Sequence, residues 1–249
     1  MLKKIDAACH LGYDPLHEVG VDRPRLTETL DRNEVEKAVL LPMGEGYIHR
    51  FREHNRELDR IVSKSQRFLY FCTVNPWFGE SARKELEESF TLRSAAGVAF
   101  DTARQGLYID SPMIDPFIEI AARHEKPVYF FTGIPVFALP LNLANLARRF
   151  PEVTFIMGAM GVSDYWGDII PSFRLCGNLY LETSVNTNVP AVLESFVDEF
   201  GDEKILFGTN FPFTDYVMEC EKIEKAGISE NSMERIFFRN SCELLRLDP

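Results

Sequence analysis

Pro127-Val128-Tyr129-Phe130-Phe131-Thr132-Gly133-Ile134-Pro135-Val136-Phe137-Ala138-Leu139-Pro140-Leu141-Asn142-Leu143-Ala144-Asn145-Leu146-Ala147 runs 21 residues without a charged side chain, close to the length of a membrane span. Its punctuation argues against a span. Pro127, Pro135 and Pro140 each remove a backbone donor, and with Gly133, Asn142 and Asn145 they divide the stretch into a buried strand over 127–131, a loop and the start of a helix. A strand apolar on both faces, followed by a loop and a helix, is the unit of a parallel sheet covered on both sides.

The unit recurs in both directions along the chain. Strand-like apolar runs occupy 3–8, 37–43, 68–74, 97–101, 127–131, 154–158, 179–183 and 205–208, which makes eight. Between them, apolar residues three and four apart predict helices, for example over 113–124, 141–150, 191–200 and 216–226. Eight strand–helix units predict an α/β fold of the (β/α)8 TIM-barrel type, with an extra C-terminal helix over roughly 233–247 packed across one end. Neither a linker nor a repeat boundary interrupts the pattern, so residues 1–249 read as a single domain.

Composition narrows the partners. The chain has 27 basic and 38 acidic residues and a formal charge of -11, which repels phosphate backbones and anionic lipid, so neither nucleic acid nor a membrane is expected as a partner. Five cysteines, at 9, 72, 176, 220 and 242, form no CxxC pair. An odd, scattered set suggests neither a disulfide framework nor a zinc knuckle, and a reducing cytoplasm is the expected location. The opening Met1-Leu2-Lys3-Lys4-Ile5-Asp6 lacks the apolar run of a secretory signal.

In a barrel of this type the chemistry sits at the carboxyl ends of the strands. Those ends carry Ile5-Asp6-Ala7-Ala8-Cys9-His10, Gly97-Val98-Ala99-Phe100-Asp101, Pro127 to Gly133, Phe150-Pro151-Glu152-Val153-Thr154-Phe155-Ile156-Met157-Gly158-Ala159-Met160-Gly161, Leu179-Tyr180-Leu181-Glu182-Thr183-Ser184 and Ile205-Leu206-Phe207-Gly208-Thr209-Asn210-Phe211-Pro212, and the last helix carries Arg235-Ile236-Phe237-Phe238-Arg239-Asn240. In this order the set resembles the amidohydrolase-related family, which includes aminocarboxymuconate semialdehyde decarboxylase and related lactonases. The resemblance spans nearly the whole chain and implies a metal-dependent-hydrolase-like TIM barrel. It also makes a homodimer an expectation.

The resemblance further implies where metal ligands would stand, and most of those positions hold other residues. Two histidines one residue apart at the end of the first strand correspond to Ala8 and His10; the histidine before Thr-Gly corresponds to Phe131, and the one before Met-Gly to Ala159. The last strand's aspartate, ligand and base by resemblance, corresponds to Asn210, while Ala99 and Asp101 stand where the family often has lysine and histidine. Catalytic zinc needs about three protein ligands. One imidazole and a neutral amide do not supply them, so the expectation is a site with no metal and no other cofactor, without metal-hydroxide chemistry.

His10 is the first candidate for catalysis, as a general acid or base; its structural alternative is a hydrogen bond to Asn210 or to a backbone carbonyl. Asp101 is the second, as a base or ligand anchor; its alternative is to cap the following loop or pair with Arg104. Glu182 holds the family's inward carboxylate position and is expected to orient neighbouring groups. Cys9 points to the opposite strand face from His10 and reads as a small buried hydrophobe. His17 and His49 fall in loops, and His54 and His124 in helices. Gly44-Glu45-Gly46 lacks the pattern of a phosphate cradle.

Asp6, Ala8, Tyr129, Phe131, Ala159, Glu182, Asn210 and Phe211 complete the expected pocket, drier than an imidazole-lined one and suited to a small apolar or aromatic ligand. Two functions are open at this level. One is a metal-independent hydrolase or lactonase acting on a small carboxylated or carbonyl compound through His10 and Asp101. The other is a noncatalytic small-molecule-binding or regulatory relative.

Overall fold

The computed structural model describes residues 2–248, except the side chain of Ser163. Eight strands, β1 (Lys4–His10), β2 (Val35–Leu41), β3 (Phe68–Cys72), β4 (Gly97–Phe100), β5 (Val128–Phe131), β6 (Phe155–Gly158), β7 (Leu179–Glu182) and β8 (Ile205–Leu206), lie side by side in chain order. Every adjacent pair is parallel. The sheet closes where Ala7 N donates to the Phe207 carbonyl at 2.8 Å, His10 N donates to the Phe211 carbonyl at 2.8 Å, and Cys9 bridges to Phe211. With helices between the strands, this is the TIM barrel expected from the sequence.

The strands read as apolar on both faces because they serve two cores. Outside, residues such as Leu40, Phe100, Phe130, Phe155 and Leu181 pack beneath the helices. Inside, Ala7, Ala8, Val39, Leu41, Tyr47, Phe71, Ala99, Tyr129, Ile156 and Leu206 fill the lumen. Cys9 belongs to the outer set, as strand alternation requires. The 127–147 stretch divides into strand β5, a loop, and the helix Pro140–Arg149, whose first residue is a proline that needs no donor there.

The last helical segment differs from a single continuous helix. Glu230–Glu234 and Asn240–Leu245 are joined through a π-helical turn at Arg235–Arg239. In that turn Asn240 N reaches back to the Arg235 carbonyl, so the Ile236 carbonyl is free to accept Phe207 N at 3.0 Å. The Asn240 side chain donates to the carbonyls of Asp202 and Ile205, each at 2.7 Å. The extra residue in the turn thus stitches the helix to β8, while Leu244 and Leu245 pack against the lumen core.

One element was not foreseen. A two-stranded antiparallel ribbon, Gly12–Asp14 with Val19–Val21, follows β1 and pairs with itself, outside the eight-stranded sheet.

Candidate functional site

At the carboxyl end of the barrel His10, on β1, meets Asn210 and Phe213 from the segment after β8, while Asp101, just after β4, is held by Arg104 and has no hydrogen bond to His10. His10, at the last position of β1, is 5% exposed. Its Nδ1 lies 2.8 Å from the Pro42 carbonyl and its Nε2 lies 2.7 Å from the Asn210 side-chain amide. Burial pulls the imidazole below its ordinary value, so the ring is held toward its neutral form. A neutral ring donates from one nitrogen. Pro42 offers a fixed acceptor, so Nδ1–H donates there; the atom facing Nε2 is Asn210 Oδ1, a second acceptor, so a neutral ring keeps that contact only with the amide turned to present its NH2 group.

Asp101 follows β4 and caps the short helix Thr102–Gln105, accepting Arg104 N at 3.1 Å. Arg104 Nε donates back to the same carboxylate at 2.9 Å, and its terminal nitrogen donates to Asp14 on the ribbon at 2.6 Å. Burial raises the Asp101 pKa and Arg104 opposes the rise. Asp14 is held at about 2 because its hydrogen bonds to Arg104 and His17 outweigh its burial. Phe213 sits edge-on to His10 and to His17, with ring centroids 5.3 and 5.6 Å apart. For both His10 and Asp101 the contacts of the structural alternative are present: the amide and carbonyl for His10, the cap and Arg104 for Asp101.

Deeper in the barrel, two carboxylates act as knots. Asp6, fully buried, accepts from Ala8 N, Thr209 N, the Thr209 hydroxyl and the Tyr216 hydroxyl, at 3.0, 3.1, 2.6 and 2.8 Å. Glu182, also fully buried, accepts from the Tyr129 hydroxyl, Ala159 N, Ser184 N and the Ser184 hydroxyl, at 2.9, 3.0, 2.7 and 3.0 Å. Burial raises both pKa values, while these donors favour the charged form. Glu182 thereby joins Tyr129, Ala159 and Ser184 in one hydrogen-bonded cluster. Ala8, Tyr129 and Ala159 are fully enclosed, and Phe131 and Phe211 are half-buried.

The backbone around the mouth is strained. Ala159, Met160, Val162, Val185 and Asn210 all have φ between 44° and 69°, a region that β-branched residues rarely enter. Such residues persist only where surrounding structure fixes them, and they cluster at functional sites. Here Asn186 Nδ2 donates to the Met160 and Val162 carbonyls at 2.8 and 3.0 Å. Lys222 donates to the Asn186 carbonyl at 3.0 Å and pairs with buried Glu219 at 2.6 Å.

Glu219 has its pKa raised to about 7, chiefly by burial. An unfolded glutamate titrates near 4.5, so the native state must ionise a group it disfavours as pH rises between these values. Relative to Glu219→Gln, the wild type should therefore lose about 3 kcal/mol of stability from below pH 4.5 to above pH 7, and no more beyond. Urea unfolding of both proteins at pH 5 and pH 8 measures this; an unchanged difference would show that Lys222 fully compensates the charge.

Among the other histidines, His54 accepts Met43 N at 3.2 Å and is drawn down to about 4 by burial. It is half-buried on the helix Phe51–Val62, close enough to His10 for their charges to interact. His124 pairs with Glu87 at 2.7 Å on the outside of the barrel. Burial pushes the Cys9 thiol well up, the opposite of what a nucleophile needs. Reading the sequence did not single out Asp14, Phe213 or the Glu219–Lys222 pair. No short-range pattern marks them, since Asp14 and its partner Arg104 are 90 positions apart.

Among the described residues, no three His, Cys, Asp or Glu side chains come together as a group able to hold a metal ion, and no helix is long and apolar enough to cross a membrane. Comparison with known proteins gives one family: the amidohydrolase model matches residues 5–247. Gamma-resorcylate decarboxylase of Rhodococcus jostii is 22% identical, over 76% of this chain and 74% of that protein. The solved structure of 2,6-dihydroxybenzoate decarboxylase from Rhizobium superposes with a TM-score of 0.80 at 18% identity, covering 100% of both chains. A dihydroxybenzoic acid decarboxylase of Polaromonas sp., with bound manganese and the inhibitor 2-nitroresorcinol, gives a TM-score of 0.78 at 20% identity, over 99% of this chain and 97% of that one.

Proposed function

Because the chain belongs to the amidohydrolase family, we propose that it takes a small aromatic carboxylic acid at the mouth of the barrel and releases the carboxyl group as carbon dioxide, with His10 moving the proton. The relatives named above are decarboxylases, which favours this reaction over the hydrolase or lactonase activity expected from the sequence. The observation that carries the reading is the placement of His10. It is the imidazole at the end of β1, fixed on both nitrogens and set against the ring of Phe213.

Removing carbon dioxide from an aryl carboxylate breaks the bond between the ring carbon and the carboxyl carbon. The electron pair stays with the ring and forms the new C–H bond, so one proton must be delivered to that carbon. His10 can be protonated from bulk solvent and deliver that proton to the ring carbon at Nε2 once the Asn210 amide turns aside, and a buried imidazolium is a stronger acid than an exposed one. The Phe213 ring set against His10 gives it an apolar neighbour, which favours neutral carbon dioxide over the carboxylate.

A divalent metal of the kind held by the Polaromonas relative does not fit this donor set. Positions 8, 131 and 159 carry no donor atom, both His10 nitrogens are engaged, Asp101 is bound to Arg104, and Asp6 and Glu182 each take four hydrogen bonds from the chain.

The test is carbon dioxide release from a panel of mono- and dihydroxybenzoates, with chelator and with added manganese. Turnover that survives the chelator and falls at least about a hundredfold in His10→Ala is the expected result. Turnover that needs manganese would overturn the donor-set argument, and turnover unaffected by His10→Ala would remove His10 from the chemistry. Saturable binding without release would place the chain among noncatalytic binding relatives.

A further inference from the structure

The guanidinium of Arg104 carries two aspartates of different standing. Asp101 is fixed at the end of β4, both capping the Arg104 backbone and pairing with its side chain. Asp14 reaches the same guanidinium from the ribbon, and His17 joins them with its Nδ1 2.8 Å from Asp14 and 3.1 Å from Arg104. The side chains of Asp14, Asp101 and Arg104 are 1%, 11% and 16% exposed. One buried cation therefore serves two buried anions.

We propose that Arg104 is the carboxylate anchor of the site, that Asp14 occupies it as an internal stand-in, and that a monocarboxylate ligand binds by displacing Asp14 and lifting the ribbon from the mouth. This rests on reading the mouth as an acid-binding site, and it names the residue that recognises the acid.

Charge balance favours the exchange. Breaking a buried ion pair outright strands a charge and is strongly unfavourable, but replacing one carboxylate with another leaves Arg104 with the same number of anionic partners and sends Asp14 into water. The ribbon is built to leave. It has three residues per strand and lies outside the barrel sheet. Its tip, residues 15–18, is exposed, and Tyr13 and Leu16 are 60% and 73% exposed.

The neighbours indicate what kind of acid follows. Phe213 stands edge-on to both His10 and His17, the latter carried by the ribbon. Withdrawal of His17 uncovers the Phe213 ring beside His10, so a carboxylate on Arg104 would bring an attached aromatic ring toward the imidazole. Because Arg104 and His17 hold Asp14 at about 2, the stand-in stays ionised at every pH where the ligand is charged, and competition between the two is constant.

The test uses benzoate as the probe and benzamide as its neutral counterpart, with binding measured by calorimetry on the full chain. Asp14→Asn keeps an acceptor for Leu16 N, which Asp14 serves at 3.0 Å, but it surrenders the charge. Removing a competing closed state raises apparent affinity by the fraction it occupied, so Asp14→Asn should bind benzoate about tenfold more tightly or better, Arg104→Met should bind it at least tenfold more weakly, and benzamide, which has no charge to offer Arg104, should not weaken in Arg104→Met. Hydrogen exchange of the amides of residues 12–21 should quicken when benzoate is added to the wild type.

Equal benzoate affinity in wild type and Asp14→Asn, no saturable binding in either, or ribbon amides indifferent to benzoate would each overturn the proposal. The two readings fail separately. Tighter binding in Asp14→Asn with no carbon dioxide release sinks the reaction and leaves Arg104 as anchor, whereas decarboxylation with an unmoved benzoate affinity in Asp14→Asn does the reverse.

Discussion

Gly208→Ala is expected to destabilise the barrel by about 3–5 kcal/mol, an effect large for a single methyl group. A Cβ at position 208 would lie 2.1 Å from Glu182 Oε1 and 2.6 Å from its carboxyl carbon. That contact is with the middle of a buried network, not with the free end of a mobile side chain. Glu182 could yield only by abandoning the Tyr129 hydroxyl, Ala159 N and the two donors of Ser184. Each donor left unpaired in the lumen costs about 1–3 kcal/mol, and overpacking adds to it. Gly177→Ala is the control, since a Cβ there meets nothing within 4 Å. Urea denaturation of the two variants should show a large drop in midpoint for the first and almost none for the second. Equal midpoints would mean that β7 and β8 can separate to admit the methyl group.

A comparable loss, about 3–5 kcal/mol, is expected for Asp6→Ala. Asp6 binds both edges of the seam where the barrel closes: Ala8 on β1, Thr209 in the segment after β8, and Tyr216 at the start of the helix Tyr216–Glu224. Truncation leaves all these donors facing a cavity. Asp6→Asn keeps one acceptor oxygen, and its NH2 group can meet only those hydroxyls that turn to accept, so it should fall between wild type and alanine. Tyr216→Phe removes a single donor and should cost about 1 kcal/mol. Unfolding free energies give the order, and hydrogen exchange should show protection lost first along β1 and residues 205–211. If exchange quickens elsewhere while the seam stays protected, Asp6 is not what closes it.

Much of the barrel was legible because its strands are read by a local rule. Buried parallel strands have no polar face, so Phe68–Cys72 or Phe155–Gly158 stand out as short apolar runs whatever their neighbours. The ends of elements were less legible. The strand expected over 205–208 keeps ladder pairing only at Ile205 and Leu206, because Phe207 N turns to the terminal helix and Gly208 passes over Glu182. The π-helical turn at Arg235–Arg239 has no periodic signature, since its cause is a carbonyl required by β8.

The candidate site divides the same way. That His10 stands at a strand end, and that positions 8, 131, 159 and 210 hold alanine, phenylalanine, alanine and asparagine, is written in the residue order. The fold class followed from the order of apolar runs, because burial on both faces of a strand is a property of consecutive residues. What His10 and Asp101 touch was decided only in three dimensions. The Asn210 amide is 200 positions from His10, and Asp14 is 90 positions from the Arg104 that joins it to Asp101. Hydrogen-bond partners and displaced charges are set by which loops the closed barrel brings to one mouth, and no spacing along the chain encodes that.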